Sequence, residues 1–405
     1  MRTLNAITLL FLTIILCNSC NAETKKVQLS HELFEAYSPK NAGDLIFVVI
    51  SPKGDGKLAM EKFVNIATES KAHVIGLNNV ENGVYHYEKE IRKATEAFVE
   101  LKKIKSPEFI LCGFSGGAKM AFRYGFKNKV KGVIMCGAGI GNYMNKGVDI
   151  PVAFITGFTD FAYHGSYYDN TSPLMFNENV LTIHFNGGHE WPDENNLRKA
   201  TQFIFRSAEL NFEKSNKKIL KQIKDDNIQL AMIGAQFGYK ASSSESIKEQ
   251  FKVLIDTLIS NPEVVSFYEA ETELLRRENF LMQYLYNAFE TKSFEFWKEQ
   301  IDKIKAQMDE DSPQGRSFMR AKASLGVGIY SFINRQIREN IDHEEKLKLI
   351  KVYELLEPEN PDMFFFYALY YKQQDDTDNA KKYLDLAKAA GYSDEEQIKR
   401  ELGGI

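Results

Sequence analysis

Short apolar runs alternate with longer amphipathic stretches between Leu45 and about Phe205. This alternation is typical of strands and helices that follow one another in a parallel α/β sheet. Most of the runs contain few polar residues, so we expect strands that are covered on both faces. The predicted strands are Leu45–Ile50, His73–Leu77, Phe109–Cys112, Gly132–Cys136, Val152–Thr156 and Val180–Phe185, with a further short strand near Lys26–Leu29. The predicted helices between them are Ala59–Thr68, Tyr87–Lys103, Gly117–Tyr124 and Asn195–Phe205.

The pattern changes after about Asn211, where segments of helical period replace the strand-like runs. Glu249–Ser260 and Glu271–Phe289 are examples of such segments. The charged stretch Glu213–Asp226 is the predicted linker, unless one helix runs through it. The fold class that these patterns predict is α/β, with a mostly parallel sheet followed by an all-α domain.

One segment near the C-terminus has a more specific pattern. Its bulky and small residues resemble the packing positions of a tetratricopeptide repeat, in which small residues let two helices approach closely. These positions are Phe364, Ala368, Tyr371, Ala380, Leu384 and Ala387. The segment Ala321–Glu357 could be a degenerate copy of the repeat. A plain helical hairpin in a bundle is the alternative interpretation.

The first twenty residues have the pattern of an export signal. Arg2 precedes an apolar run of 11 residues, Ala6–Leu16, which is shorter than the ~20 residues that a membrane-spanning helix needs. Leu16 and Ser19 in front of Cys20 resemble a bacterial lipoprotein signal, although Cys17 stands where Leu is commoner. The resemblance implies that Cys20 is lipidated and that the protein is anchored to a membrane of the cell envelope, on the periplasmic face or the cell surface. An ordinary secretory signal is the alternative.

Length and charge limit the number of domains and the kinds of ligand that we expect. A chain of 405 residues favours two domains after the signal, and we predict a signal over 1–20, an α/β domain over 21–212 and a helical domain over 213–405. A net charge of −4 gives nucleic acid nothing to bind by electrostatic attraction. Cys112 and Cys136 fall in predicted apolar strands, which indicates buried thiols. No metal ligand set or cofactor motif is visible, so no cofactor is predicted.

The chemistry is predicted by Gly113-Phe114-Ser115-Gly116-Gly117. Gly-x-Ser-x-Gly alone is weak support for a function, but here it follows a predicted strand and opens a predicted helix. That is the context in which a serine nucleophile is presented on a sharp turn. Glycines two residues to either side leave room for the helix to cross close to the strand.

A serine nucleophile needs a base, and the base needs a carboxylate that orients it. Asp160 follows the predicted strand Val152–Thr156, and His189 follows Val180–Phe185. Their order after Ser115 is the order expected for this kind of site. Asp169 and Asp193 are alternative acids, and His164 is a rival base that lies close to Asp160 in sequence. His184 falls inside a predicted strand, where a structural role is expected.

With these residues in place, the segment from about Leu45 to Phe205 resembles the α/β-hydrolase superfamily. Gly-Gly-His-Glu-Trp-Pro at 187–192 is similar to the histidine loop of secreted esterases such as polyhydroxybutyrate depolymerases and feruloyl esterases. The resemblance implies that Ser115 is the nucleophile, Asp160 the acid and His189 the base. It extends to these three residues only.

The oxyanion hole is predicted less completely. One donor should be the backbone N–H of Gly116, the residue after the nucleophile. The other should come from the loop Ser51–Gly56, where many relatives have a His-Gly pair that this chain lacks. Pro52 has no N–H, so the candidates are Lys53 and Gly54.

The preferred hypothesis is a carboxylic-ester hydrolase that acts through an acyl-enzyme on a small-molecule or glycan-linked ester. The helical domain would then contact a protein partner or the substrate. A catalytically idle hydrolase fold that serves as a lipid-anchored binding scaffold is the rival, and a peptidase of the same superfamily is a third hypothesis.

Overall fold

The structure is a computed structural model that describes residues 28–139, 148–167, 177–339 and 342–403. The predicted signal over 1–20 with Cys20, and the alternative acid Asp169, lie outside these residues. The chain divides into two compact units, 1–133 and 134–405, and each is described by itself.

The strands and helices of the described residues are as follows. The strands are β1 (Gln28–His31), β2 (Phe34–Tyr37), β3 (Leu45–Ile50), β4 (His73–Leu77), β5 (Glu108–Phe114), β6 (Gly132–Cys136), β7 (Val152–Gly157) and β8 (Val180–Phe185). Helices up to the last strand and just after it are α1 (Gly56–Glu61), α2 (Val64–Glu69), α3 (Tyr87–Lys102), α4 (Gly116–Lys127) and α5 (Glu194–Phe205). The later helices are α6 (Phe212–Lys224), α7 (Ile228–Ala241), α8 (Glu245–Ile259), α9 (Pro262–Tyr286), α10 (Phe294–Ala306), α11 (Pro313–Gln336), α12 (His343–Leu356), α13 (Pro361–Gln373), α14 (Thr377–Ala389) and α15 (Glu395–Leu402).

In the sheet of the first unit, β3 is an inner strand with a partner on each side. The strands of this sheet follow the order β1-β2-β4-β3-β5. β3 pairs in parallel with both β4 and β5, and Val48 is opposite Ile75 on one side and Leu111 on the other. β1 and β2 add an antiparallel edge. The residues of β3 from Ile46 to Ile50 are fully buried, as the uninterrupted apolar run predicts for a central strand.

In the second unit, β7 and β8 pair in parallel along their whole length, from Val152 opposite Val180 to Gly157 opposite Phe185. The helices that follow α5 pack around two apolar clusters. One includes Ile219, Met232, Phe251 and Tyr268, and the other includes Trp297, Leu325, Ile350, Phe366 and Leu384. No helix in the described ranges is both long enough and apolar enough to cross a bilayer.

The predicted fold class, a mostly parallel α/β sheet followed by helices, is confirmed, and each predicted strand from Leu45 onwards is present. The short strand near Lys26–Leu29 corresponds to β1, but β2 was not predicted because its four residues contain no apolar run. The predicted helix Ala59–Thr68 is two helices, since the chain turns between Glu61 and Val64. Glu213–Asp226 is mostly helical, in α6. The domain limits at 212 and 213 stay a prediction.

Lys240 of the second unit is buried, although lysine side chains are usually exposed. Lys240, near the end of α7, is 1% exposed and its Nζ donates a hydrogen bond to the carbonyl oxygen of Val180, 2.7 Å away. Burial lowers the pKa of Lys240 to about 7, and the nearby positive charge of Arg206 acts in the same direction. Folding therefore favours the neutral amine at this position.

The free energy of unfolding is expected to rise with pH above 7 because of Lys240. Between pH 7 and the ordinary lysine pKa of 10.5, the unfolded chain binds the extra proton. The slope from one such group is at most about 1.4 kcal/mol per pH unit. Lys240→Met should remove this part of the slope, whereas Lys217→Met, at an exposed position, should not. Urea denaturation from pH 7 to 9.5 measures both, and equal slopes for wild type and Lys240→Met would contradict the expectation.

Candidate active site

Ser115 occupies the turn that joins β5 to α4. Its backbone has φ 52° and ψ −120°, which is a conformation that residues other than glycine rarely adopt. Such strain is kept only where the surrounding structure enforces it, and it is concentrated at functional sites. The predicted strand, turn and helix around Gly-x-Ser-x-Gly are therefore present, with the serine in the backbone conformation that lifts its side chain out of the turn.

The two outer glycines of the motif allow α4 to cross close to the sheet. A β-carbon at Gly113 would lie 2.5 Å from the carbonyl group of Gly117. A β-carbon at Gly117 would lie 2.2 Å from the carbonyl oxygen of Ile50, at the end of β3. Both distances are far below van der Waals contact, and both involve backbone atoms that cannot turn aside. The glycines are thus required by the close packing of backbone against backbone.

The predicted oxyanion donors lie in the same unit as Ser115. Gly116 is the first residue of α4, so its N–H has no carbonyl partner one turn earlier in the helix. The Lys53 N–H donates to Ser51 Oγ over 3.3 Å, and the Gly54 N–H donates to the Ser51 carbonyl oxygen over 3.4 Å. Both candidates for the second donor are therefore used inside their own turn.

Asp160 and His189 are in direct contact in the second unit. His189 Nδ1 lies 3.0 Å from Asp160 Oδ1, which also accepts a hydrogen bond from the Ala162 N–H over 2.8 Å. The Asp160 side chain is fully buried, whereas that of His189 is 23% exposed. A buried carboxylate at Nδ1 favours the imidazole tautomer in which Nδ1 carries the proton and Nε2 is the acceptor. The ring of Phe161 packs against the imidazole, with 4.2 Å between the ring centres.

Hydrogen bonds tie the two loops that carry this pair to each other. The Phe158 N–H donates to the carbonyl oxygen of Phe185 over 2.9 Å. The Gly187 carbonyl oxygen accepts from both the N–H and the hydroxyl of Thr159, over 3.1 and 2.8 Å. Gly157 permits this approach, since a β-carbon there would lie 2.1 Å from the Gly187 carbonyl oxygen. The parallel pairing of β7 and β8 thus continues into the loops and fixes the distance between Asp160 and His189.

The alternative candidates for the acid and the base have other partners. His164 Nε2 lies 2.8 Å from Glu278 Oε1, and Asp193 caps α5 by accepting a hydrogen bond from the Asn196 N–H. His184 is buried within β8, and burial lowers its pKa to about 3, so it is neutral at physiological pH. Cys112 and Cys136 are both buried, as predicted.

A buried ionic network holds the loop of Asp160 against α9 and α11. Arg320 of α11 and Glu278 of α9 are 1% and 3% exposed, with Arg320 Nη2 2.8 Å from Glu278 Oε2. Arg320 Nη1 donates to the carbonyl oxygen of Phe158 over 2.9 Å, and the guanidinium lies over the ring of Tyr163 at 4.6 Å. We call Arg320, Glu278, His164 and Tyr163 the loop-anchoring network.

Glu278 is ionised in this network although it is buried. Burial opposes its ionisation, but hydrogen bonding to His164 and the charge of Arg320 outweigh that effect and lower the Glu278 pKa. Ser317 adds a further hydrogen bond to Oε2 over 2.9 Å. On the far side of the loop, the Tyr163 hydroxyl donates to Glu271 Oε1 over 3.1 Å, also on α9. Arg320, Glu278 and Glu271 could not be predicted as part of the site, because long helical segments show no sign of which charges are buried.

Comparison with known proteins gives distant structural likeness only. No protein-family model matches the chain, and no curated protein matches it. Esterase PE8 aligns with a TM-score of 0.34 and 18% identity, over 43% of this chain and 97% of the esterase. Pyrococcus horikoshii acylaminoacyl peptidase aligns with a TM-score of 0.31 and 13% identity, over 50% of this chain and 45% of the peptidase. FphF, a fluorophosphonate-binding serine hydrolase of Staphylococcus aureus, aligns with a TM-score of 0.33 and 12% identity, over 44% of this chain and 94% of the hydrolase.

Gly117→Ala should destabilise the fold by about 1 to 3 kcal/mol, because the new methyl group meets the rigid backbone of Ile50. Gly234→Ala in α7 is the matched control. Its β-carbon would be 3.5 Å from the nearest atom, so the substitution should stabilise the helix by about 0.5 to 1 kcal/mol. Chemical denaturation measures the free energy of unfolding of both variants and of wild type. A Gly117→Ala protein as stable as wild type would show that α4 does not need to cross this closely.

Arg320→Met should cost about 3 to 5 kcal/mol of stability, because it leaves the carboxylate of Glu278 buried without its guanidinium. The double variant Arg320→Met with Glu278→Leu should cost less than the sum of the two single variants, by about 0.5 to 3 kcal/mol. The exposed pair Arg276 and Glu273 on α9 provides the control cycle, for which we expect no comparable coupling. Denaturation of each set measures the coupling, and additive effects at Arg320 and Glu278 would rule out the loop-anchoring network as a unit.

Proposed function

We propose that this chain is a serine hydrolase of the α/β-hydrolase type that cleaves carboxylic esters through an acyl-enzyme. The positive φ of Ser115, between a strand and a helix that cross at Gly113 and Gly117, carries the proposal. An ordinary turn serine would relax out of this conformation. The contact between His189 and the buried Asp160 supplies independent support, since it is the pair that a serine nucleophile requires.

In the proposed reaction, Ser115 Oγ attacks the ester carbonyl carbon while His189 Nε2 accepts the hydroxyl proton. The carbonyl π electrons move onto oxygen, and the Gly116 N–H donates to the resulting oxyanion, with Lys53 or Gly54 as the predicted second donor. When the tetrahedral intermediate collapses, the bond to the alcohol breaks and His189 returns the proton to the leaving oxygen. Water then attacks the acyl-enzyme by the same route and releases the carboxylic acid.

Asp160 would act through His189 in this scheme. Its Oδ1 accepts from Nδ1 and would stabilise the imidazolium that forms during each step. Because the carboxylate is fully buried and bonded to the Ala162 N–H, the imidazole ring is held in one orientation before substrate binds. This preorganisation avoids a reorganisation cost during the reaction.

A peptidase would use the same three residues, so the triad alone does not separate the two activities. The similarity of Gly-Gly-His-Glu-Trp-Pro at 187–192 to the histidine loop of secreted esterases favours an ester, either of a small molecule or linked to a glycan. Parallel assays with p-nitrophenyl esters, feruloyl esters and peptide p-nitroanilides distinguish these substrates.

The proposal includes a location and a partner. Cys20 is the proposed site of lipidation, which would hold the enzyme on a membrane of the cell envelope. The helical region would bind a protein partner or the substrate through a repeat-like surface. In support, α13 and α14 form a hairpin in which Ala368, Ala380 and Ala387 are fully buried, as the small positions of a tetratricopeptide repeat are.

Wild-type protein should react with a fluorophosphonate probe and hydrolyse p-nitrophenyl esters, whereas Ser115→Ala should do neither. His189→Ala should lose activity to a similar extent because the nucleophile then lacks its base. Asp160→Asn should lower kcat by about 10⁴-fold, since the imidazole adopts the wrong tautomer. Ser106→Ala and His86→Ala, at exposed positions, are the controls. A folded wild-type protein that neither labels nor hydrolyses any ester would favour the binding-scaffold hypothesis.

A further inference from the structure

The backbone of the loop Ser51–Gly56 is a poor source of the second oxyanion donor in the proposed site. Lys53 and Gly54 both donate to Ser51, and Pro52, which precedes Lys53, has no N–H. An oxyanion that relied on this turn would have to break one of those bonds during the reaction. A donor with no competing partner would stabilise the oxyanion more effectively, because it would not have to reorganise.

Asn82 lies beside Gly116, on the loop that follows β4. A β-carbon at Gly116 would lie 1.8 Å from Asn82 Oδ1 and 3.0 Å from Asn82 Nδ2, so the amide packs on the α-carbon next to the nucleophile. Rotation by 180° about the Cβ–Cγ bond exchanges the amide oxygen and nitrogen without moving the group. The side chain is exposed to solvent. It can therefore turn its N–H bonds towards a substrate oxygen at Gly116.

The backbone of Asn82 is fixed to the same turn that contains Lys53 and Gly54. Its N–H donates to the Pro52 carbonyl oxygen over 2.9 Å, and the neighbouring Glu81 forms an isolated antiparallel bridge with Lys53. These two contacts fix the backbone from which the Asn82 side chain extends. The Asn82 amide is thus carried on a fixed backbone beside Gly116, where the oxyanion is expected.

We propose that the side-chain amide of Asn82 is the second oxyanion donor of the site, paired with the backbone N–H of Gly116. This inference rests on the proposed function. Donation through a side chain accounts for the absence of a His-Gly pair in the loop after β3, because that loop then serves to position Asn82. It also gives Gly116 a second role, since any side chain at that position would displace the amide.

The first experiment measures ester hydrolysis by Asn82→Ala and by Asn82→Asp, which keeps the shape of the side chain but removes the donor. Both should lower kcat by about 10²- to 10³-fold, the usual loss for one oxyanion donor, with KM nearly unchanged. The rate of fluorophosphonate labelling should fall in parallel, because the phosphonyl oxygen occupies the same site. Asn79→Ala changes the same residue type in the same loop and should keep wild-type kcat; its amide makes a long bond of 3.4 Å to the Glu32 carbonyl oxygen.

A second experiment separates donation from a structural role. Gly116→Ala should lower kcat because its methyl group displaces the Asn82 amide while the backbone N–H remains. In the Asn82→Ala background that clash no longer exists, so adding Gly116→Ala should cost little more. A purely structural role for Asn82 would instead lower the melting temperature of Asn82→Ala and Asn82→Asp together with kcat, whereas loss of a donor leaves the melting temperature unchanged. Thermal melting of each variant establishes that the comparison is made on folded protein.

The possible results distinguish a failure of the Asn82 assignment from a failure of the proposed function. Active wild type with Asn82→Asp within about threefold of its kcat would overturn the assignment of Asn82 and leave the serine hydrolase intact. A wild-type protein that neither labels nor hydrolyses esters would overturn both. Loss of kcat in Asn82→Ala and Asn82→Asp, with a Gly116→Ala effect that disappears in the Asn82→Ala background, would establish the amide as the donor.

Discussion

The contact between the first turn of α4 and the end of β3 is the constraint on which the first unit depends. With no side chain at Gly117, the helix backbone approaches the carbonyl of Ile50, and with none at Gly113 the chain can fold back on itself within four residues. Only a sharp turn at Ser115 satisfies both contacts, and that turn requires its positive φ. The strain at the serine is thus balanced by close packing on both sides, and this balance keeps the hydroxyl in place without a ligand.

Asp160 and His189 are positioned differently from Ser115, by hydrogen bonds of polar groups instead of close backbone packing. Asp160 is fixed by hydrogen bonds, since its N–H donates to the Gly157 carbonyl oxygen at the end of β7 and its Oδ1 accepts from the Ala162 N–H. The buried guanidinium of Arg320 donates a hydrogen bond to the carbonyl oxygen of Phe158, two residues before Asp160. Buried ion pairs contribute little net stability compared with apolar packing, but they tolerate few alternative geometries. We infer that the loop-anchoring network contributes mainly to the precise position of Asp160.

The strands and the elbow could be predicted from the sequence because each depends on neighbouring residues. An apolar run indicates a buried strand, and the glycines around Ser115 indicate the crossing. Asp160 and His189 could be placed because parallel strands end at the same edge, so a residue just after each strand is near the other. Asn82 and Arg320 could not be found in this way. Their roles depend on contacts with residues 34 and 162 positions away along the chain, and nothing in the local pattern indicates those contacts.

Helices of the second unit take part in positioning Asp160. A predicted boundary near residue 212 separates a catalytic part from a helical part, yet Arg320 and Glu278 lie on α11 and α9 and bind the loop of Asp160 directly. A partner that shifted α9 or α11 would act on Phe158 and Tyr163 before any other part of the loop. Because Asp160 is two residues beyond Phe158, such a shift would alter the orientation of His189 through the hydrogen bond between Asp160 Oδ1 and His189 Nδ1. The helical region is therefore part of what positions Asp160.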